Sequence, residues 1–375
     1  MKRMCTVCFL VILLGSAGCG QHDSDETPPL TGLRVSQVLG ETDLDFARAE
    51  APRAFVFPDD HGPHPEYRSE WWYLTAVLDT ADGDDMGLHF TLFRQALGNV
   101  SGASPWQVNQ AYLAHLAVTD VKAGTHRTAQ RFTRAHNQAA AVTSDPFDLR
   151  ILDWHVTQVG SDPWQLRMEA ADARRGLAVD LMLTQTRPVM LQGEQGLSHK
   201  GPGQASYYYS IPRIAVTGQV SLDEQVQSIT GTAWLDREWS TSVLGSHLVG
   251  WDWFALQLDS GEDIMLFQLR RKDGTRDPYN HGARRPPGQP QRKLAADDYT
   301  LTPIRHWVDQ DGVAWPVSWM IEGIAESPLE VTALLDDQLM ELGLVYWEGL
   351  VEVKQSGQRV GRGYLEMTGY GGEIE

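Results

Sequence analysis

The sequence predicts an all-β protein, its strands closed into barrels or sandwiches and shared between two domains. Three observations carry that expectation. Helical periodicity is weak, while 35 glycines and 19 prolines punctuate the 375 residues into short segments. Several segments alternate apolar and polar residues with period two, as half-buried strands do. The chain is also longer than one hydrophobic core ordinarily organises, so two domains are the first expectation.

Composition narrows the function classes. The formal net charge is −18 and the pI is near 5.0. Such a chain repels phosphate backbones and anionic headgroups, which argues against nucleic acid as a partner. Hydrophobic residues make up 42%, ample for packed cores. The three cysteines, Cys5, Cys8 and Cys19, all lie in the first nineteen residues. The remainder can form neither a disulfide nor a thiolate metal site.

Residues 1–19 read as a lipoprotein signal peptide. Lys2 and Arg3 precede the apolar run Phe9–Leu14, which is too short to span a bilayer comfortably. Ser16-Ala-Gly-Cys19 then has the form of a lipobox, whose cysteine becomes lipidated. The expected mature chain begins at Cys19, held in the membrane by acyl chains at ~0.8 kcal/mol per buried methylene. A cleaved signal with a chance cysteine is the alternative. Gly20, in place of aspartate, favours the outer membrane of a Gram-negative host, so the expected location is the cell envelope, facing the periplasm. Residues 20–51, acidic and proline-bearing, read as a flexible tether.

Residues 52–215 are the expected N-terminal domain. Prolines force an irregular path from Phe55 toward a strand at 71–78, and a turn at 79–83 returns the chain as a hairpin partner at 86–95. His61 and His64, with Asp59, Asp60 and Glu66, match no metal-binding spacing, and no metal or other cofactor is expected. Glu70, beside Trp71 and Trp72, reads as a buried partner for an arginine such as Arg94 or as a ligand acceptor. Along 111–119, Tyr112, Ala114, Leu116 and Val118 share one face, and Leu113, His115 and Ala117 the other. His115 therefore belongs in a core or a barrel interior. Residues 164–170 and 177–185 are further strands. Residues 187–203 read as a long glycine-rich loop of the kind that serves function or bridges domains. It leads into 204–212, where Tyr207, Tyr208 and Tyr209 present rings to both faces, so that at least one is expected at a cavity. Ser198 lacks the Gly-x-Ser-x-Gly elbow, which argues against serine hydrolysis.

Residues 216–375 are the expected C-terminal domain. Strands are expected at 231–240, 250–258, 264–271, 299–303, 317–322, 329–334, 344–353 and 360–368, with a polar, proline-rich loop at 274–291. Segments 346–353 and 363–370 read as a closing hairpin, in which Glu348 again sets a carboxylate beside a tryptophan.

The densest signal is Trp234-Leu-Asp-Arg-Glu-Trp239, followed by Trp251 and Trp253. Ions exposed to water do not need four indoles around them. The expected setting is the mouth or floor of an apolar cavity, where Asp236, Arg237 and Glu238 pair with each other or meet a ligand. Asp236 and Glu238 are the candidate acids, and Arg237 beside Asp236 would lower its carboxyl pKa. A buried ion network with no further role is the competing reading.

Six motifs together are specific. They are Pro-x-Asp-His-Gly-x-His-Pro…Glu-Trp-Trp-Tyr (58–73), Arg-Pro…Leu-Gln-Gly-x-x-Gly-Leu-Ser-x-Lys (187–200), Ala-Ser-Tyr-Tyr-Tyr-Ser-Ile-Pro-Arg (205–213), Trp-Leu-Asp-Arg-Glu-Trp-Ser (234–240), Gly-Trp-Asp-Trp (250–253) and Tyr-Trp-Glu-Gly (346–349). From about Pro52 to the C-terminus the chain resembles the AttH-like lipocalin family, which is related to carotenoid 1,2-hydratase, also called hydroxyneurosporene synthase. The resemblance implies two lipocalin-like antiparallel β-barrel domains packed together. Members are described as lipoprotein or secreted components encoded near ABC-transporter permeases, or as secreted hydrolases. The hydratase branch adds water to an isolated alkene, which requires an acid that protonates carbon and aromatic faces that steady the cation. Asp236 matches the acid of that branch, and Tyr207 and Tyr209 its aromatic wall. Two functions follow as expectations. One is a lipid-anchored protein binding an apolar, lipid- or isoprenoid-like ligand, accessory to an ABC transporter. The other is a hydratase- or cyclase-type enzyme using Asp236 or Glu238. In both, Glu70, Trp72, His115, Tyr207, Tyr209, Trp234, Arg237, Trp251 and Trp253 are the expected ligand contacts.

Overall fold

The computed structural model of the chain describes residues 46–97, 109–134, 139–241, 244–342 and 344–371. The segment expected as a signal peptide, Cys19 and most of the expected tether lie outside the described residues.

The alternating segments form strands that assemble into two antiparallel sheets. The first contains β1 (Ser69–Thr80), β2 (Asp85–Ala96), β3 (Gln110–Asp120), β4 (Thr125–Arg134), β5 (Ala140–Ser144), β6 (Phe147–Ile151), β7 (Trp154–Ser161), β8 (Trp164–Asp172), β9 (Leu177–Gln185), β10 (Met190–Leu191), β11 (Leu197–Gly201), β12 (Gln204–Leu222) and β13 (Gln225–Ser240). Its order is β4-β3-β2-β1-β13-β12-β9-β8-β7-β6-β5, with β10 and β11 paired to β12. The second contains β14 (Leu248–Leu258), β15 (Asp263–Arg271), β16 (His281–Arg285), β17 (Arg292–Leu294), β18 (Thr300–Val308), β19 (Ala314–Glu322), β20 (Leu329–Ala333), β21 (Leu339–Glu341), β22 (Val345–Gln355) and β23 (Gln358–Thr368). Its order is β17-β16-β15-β14-β23-β22-β20-β19-β18, with β21 on β22. One sheet curls into a near-barrel and the other into a half-barrel, in keeping with the lipocalin-like expectation.

The change of sheet falls between Ser240 and Leu248, not at the 215/216 boundary expected from sequence. β12 runs unbroken through that boundary, and β13 turns back beside it to reach β1. The turn uses Asp223 and Glu224, both in the left-handed region that a tight hairpin requires. The register of β12 against β13 shifts between Ile211 and Ile214, around Pro212, whose nitrogen cannot donate to the ladder. The expected loops are partly strand: β10 and β11 lie in 187–203, and β16 lies in 274–291. Strands β4 to β7 were not among the expected strands, although β6 alternates strictly, with Phe147, Leu149 and Ile151 buried.

Strand alternation gives the molecule three apolar layers. On β1, Trp72, Leu74, Ala76 and Leu78 enter the first sheet's own core, while Tyr73 and Val77 enter a core shared with the second sheet. On β13, Ala233, Leu235 and Trp239 face the first core and Trp234 faces the shared one. The second sheet supplies Trp253, Ala255, Met265, Phe267 and Tyr364 to that shared layer. Gly87 on β2 permits the close approach, because a Cβ there would overlap the Tyr364 hydroxyl and meet Leu350 Cβ at 3.0 Å.

Candidate active site

The shared layer does not fill. Between the sheets lies a cavity with about 750 Å³ of empty space, part of it open to solvent. The first sheet lines it with Trp71, Tyr73, Phe93, Lys200, Tyr208, Asp236 and Glu238, and the second with Trp251, Trp253, Phe267, Leu269, Tyr346, Glu366 and Thr368. Leu244 and Leu344 complete the wall. Aromatic faces dominate, and a few polar groups converge on them, as in small-molecule sites.

Asp236 is buried and held by three donors. Trp234 Nε1 donates to Oδ1 at 2.7 Å, the Tyr208 hydroxyl donates to Oδ2 at 2.5 Å, and Ser210 provides a third hydrogen bond. Trp253 Nε1 donates to the Tyr208 oxygen at 3.0 Å and fixes that hydroxyl. Among the described residues no cation pairs with Asp236. Burial pushes its carboxyl up to about 7 against those three hydrogen bonds, and the nearby Glu238 adds to the rise. The lowering expected from Arg237 is absent. Arg237 projects from the opposite face of β13, away from the cavity, because successive residues of a strand alternate.

Glu238 faces the cavity but is neutralised. Its Oε1 lies 3.0 Å from Lys200 Nζ and also accepts from Ser206 Oγ. Lys200 sits over the Phe267 ring, 4.1 Å from its centroid. Glu366, half-buried on β23, accepts from Trp251 Nε1 at 2.7 Å. Withdrawal from water, opposed by that hydrogen bond and reinforced by Asp236 and Glu238, brings its carboxyl up to about 7.

The remaining expected contacts divide between two places. Trp251 and Trp253 line the cavity, and Trp234 stands behind Asp236. His115 is buried at the sheet interface, stacked on Tyr346 with Nδ1 2.8 Å from its hydroxyl, and is not part of the cavity wall. Glu70, Trp72, Arg237, Tyr207 and Tyr209 belong to the other side of the first sheet. There Glu70 accepts from Arg94, as expected from sequence, and from Arg237 at 3.1 Å. Burial alone would raise the Glu70 carboxyl, but Arg94, His64 and Arg237 outweigh it and bring it to about 2. Arg237 lies 3.8 Å over the Trp72 ring and donates to Trp71 O at 2.8 Å. Phe55 packs edge-on against Tyr207, Tyr209 and Trp239, so the 46–68 segment occupies the space those tyrosines face. The tyrosine at the cavity is Tyr208. Tyr73, Lys200, Tyr346 and Glu366 were not anticipated: Tyr73 meets Asp236 through the β1–β13 register, and the others come from strands that do not pair with β13 and reach the cavity only through packing.

The profile of the family described as AttH-like matches residues 48–370. No curated protein matches the sequence. Among solved structures, an AttH protein from Nitrosomonas europaea is similar at 36% identity and a TM-score of 0.77, over 87% of this chain and 100% of that one. Kievitone hydratase from Nectria haematococca is similar at 16% identity and a TM-score of 0.62, over 89% of this chain and 98% of that one. CghA, solved with Sch210972, is similar at 14% identity and a TM-score of 0.52, over 88% and 98%. At such identities the last two show a shared fold alone.

Proposed function

The chain belongs to the AttH-like family, and from that premise we propose that it takes an apolar, alkene-bearing molecule into the inter-sheet cavity and protonates it with Asp236, acting as a hydratase- or cyclase-type lyase. One observation carries this reading: Asp236 is a carboxyl near pKa 7, without a cationic partner among the described residues, at the wall of an aromatic cavity. A general acid is most effective when its pKa lies near the working pH. An acid of that strength needs a basic alkene, so a trisubstituted double bond that yields a tertiary cation is the substrate class. The faces of Trp71, Trp251, Trp253 and Tyr208 suit a transient cation, each worth ~0.5–2 kcal/mol. Glu238, paired with Lys200, is the weaker candidate for the acid. The hydratase among the structural neighbours is in keeping with the reading but lends it only the fold.

The same cavity supports a second reading, a carrier for an apolar lipid or isoprenoid. Anchoring through a lipidated Cys19, placement in the cell envelope and service to an ABC-transporter permease belong to that proposal. The two readings part on one experiment. The full chain is incubated with farnesol in D2O and the recovered molecules are analysed by mass spectrometry. The acid reading expects deuterium on carbon, lost by ~10²–10⁴-fold in Asp236→Asn. Farnesol retained by the protein but never labelled leaves the carrier and removes the enzyme.

A further inference from the structure

Behind the cavity wall lies a second set of acid and base groups that the Asp236 step does not use. Glu348 is 1% exposed, and its Oε1 accepts from the Tyr73 hydroxyl at 2.6 Å. Its carboxyl faces Glu366, with which it shares a hydrogen bond when one of the two carries a proton. His89, also 1% exposed, holds Nδ1 3.8 Å from Glu348 Oε1, with no hydrogen bond to that nitrogen among the described residues. The other ring nitrogen, Nε2, lies 3.2 Å from the Tyr346 hydroxyl. Glu348 stands directly opposite Glu366 across the β22–β23 ladder, and Glu366 reaches the cavity. Buried polar atoms left unpaired cost ~1–3 kcal/mol each unless water or a ligand satisfies them. A proton shared between Glu348 and Glu366 meets that need and ties the buried carboxyl to the one at the cavity wall.

We infer that Glu366, positioned by Glu348 and Tyr73, is the second catalytic group of the site: it holds the water that adds to the substrate and takes its proton. The inference rests on the Asp236 reading and completes it. Asp236 gives up its O–H proton, the alkene π pair forms a C–H bond, and a tertiary cation remains. Water forms the C–O bond and passes its proton to the Glu366 carboxylate. The sum is alkene plus water giving tertiary alcohol, with Asp236 left ionised and Glu366 protonated. Return of that proton to Asp236 resets the site. Tyr73 is the cross-strand partner of Asp236 on β1, and its hydroxyl contacts Glu348, so it links the two acids. Two adjacent carboxyls cannot both ionise easily. Burial, with Glu366 alongside, holds Glu348 well above the ordinary carboxylate range. The proton stays on Glu348, and Glu366 is left able to accept one.

The test separates the two steps. Farnesol is incubated with the full chain in D2O and, separately, in oxygen-18 water. Deuterium on carbon reports the Asp236 step, and oxygen-18 in the alcohol reports water addition. Glu366→Gln is expected to keep deuterium entry, because the cation can lose a proton back to Asp236, while oxygen-18 entry falls by ~10²-fold or more. Tyr73→Phe and Glu348→Gln give the same split to a smaller degree, and Glu366→Asp restores part of the oxygen-18 signal. If both labels fall together in Glu366→Gln and Tyr73→Phe, or neither changes, the inference is overturned. A wild type that takes up neither label overturns the Asp236 reading itself, and the base role goes with it.

Discussion

Asp236 and Arg237 are adjacent in the chain and lie on opposite faces of β13. Arg237 joins Glu70 at 3.1 Å on the side facing the first sheet's core, and Asp236 faces the cavity with Trp234 and Tyr208 as its donors. One strand thus separates a structural ion cluster from a chemical one. The arginine that would have weakened Asp236 as an acid is spent on a different carboxylate.

Arg237 is a stability residue. Arg237→Met leaves Glu70 buried with Arg94 as its one remaining arginine, and breaking a buried pair of this kind costs ~3–5 kcal/mol. Denaturant unfolding should show that loss. Labelling of farnesol per folded molecule should stay at the wild-type level, and a selective loss of labelling would place Arg237 in the chemistry.

Asp236 makes stability depend on pH in a defined direction. Its folded pKa, about 7, is raised above the ordinary 3.8, so its stabilising contribution is complete below about 4 and is lost as pH rises through about 7. Asp236→Asn removes that dependence. Between pH 4 and 8 the variant should gain on the wild type by at most ~4 kcal/mol, about three pKa units at ~1.4 kcal/mol each. Melting temperatures measured across that range check this, and parallel curves for the two proteins would contradict it.

How far the sequence disclosed this site depends on period and register. Period two alone separates Asp236 from Arg237 and groups Asp236 with Trp234 and Glu238. Adjacency in the chain sets the Arg237 charge beside Asp236, but the Arg237 side chain points away to Glu70. Register decided the tyrosines. Tyr208 stands opposite Glu238 and Ser210 opposite Asp236, so Tyr208 shares the cavity face while Tyr207 and Tyr209 turn to the first core. No local pattern reveals which strand lies beside β13. Glu348 was visible as a carboxylate beside a tryptophan, but its relation to Tyr73, 275 residues earlier, exists only once the sheets pack. The all-β class and the two-sheet architecture were legible, because alternation and turn residues are local signals. The true change of sheet was not, since β12 and β13 continue the alternation across the expected boundary.

The cavity should bind apolar molecules whatever chemistry follows. The neutral fluorophore N-phenyl-1-naphthylamine should bind the full chain and quench tryptophan emission through Trp71, Trp251 and Trp253. Leu269→Trp places an indole in the space and should weaken binding at least about tenfold, at a stability cost of ~1–3 kcal/mol. Unchanged affinity in that variant would move the binding site elsewhere.

The ionisation of Asp236 is the most direct test of the whole reading. The carboxyl carbon of aspartate is labelled with carbon-13, the Asp236 resonance is assigned by its absence in Asp236→Asn, and its shift is followed from pH 3 to pH 10. The expected midpoint is about 7. A midpoint at or below the ordinary 3.8 would mean a plain carboxylate, and a cavity with no acid to offer.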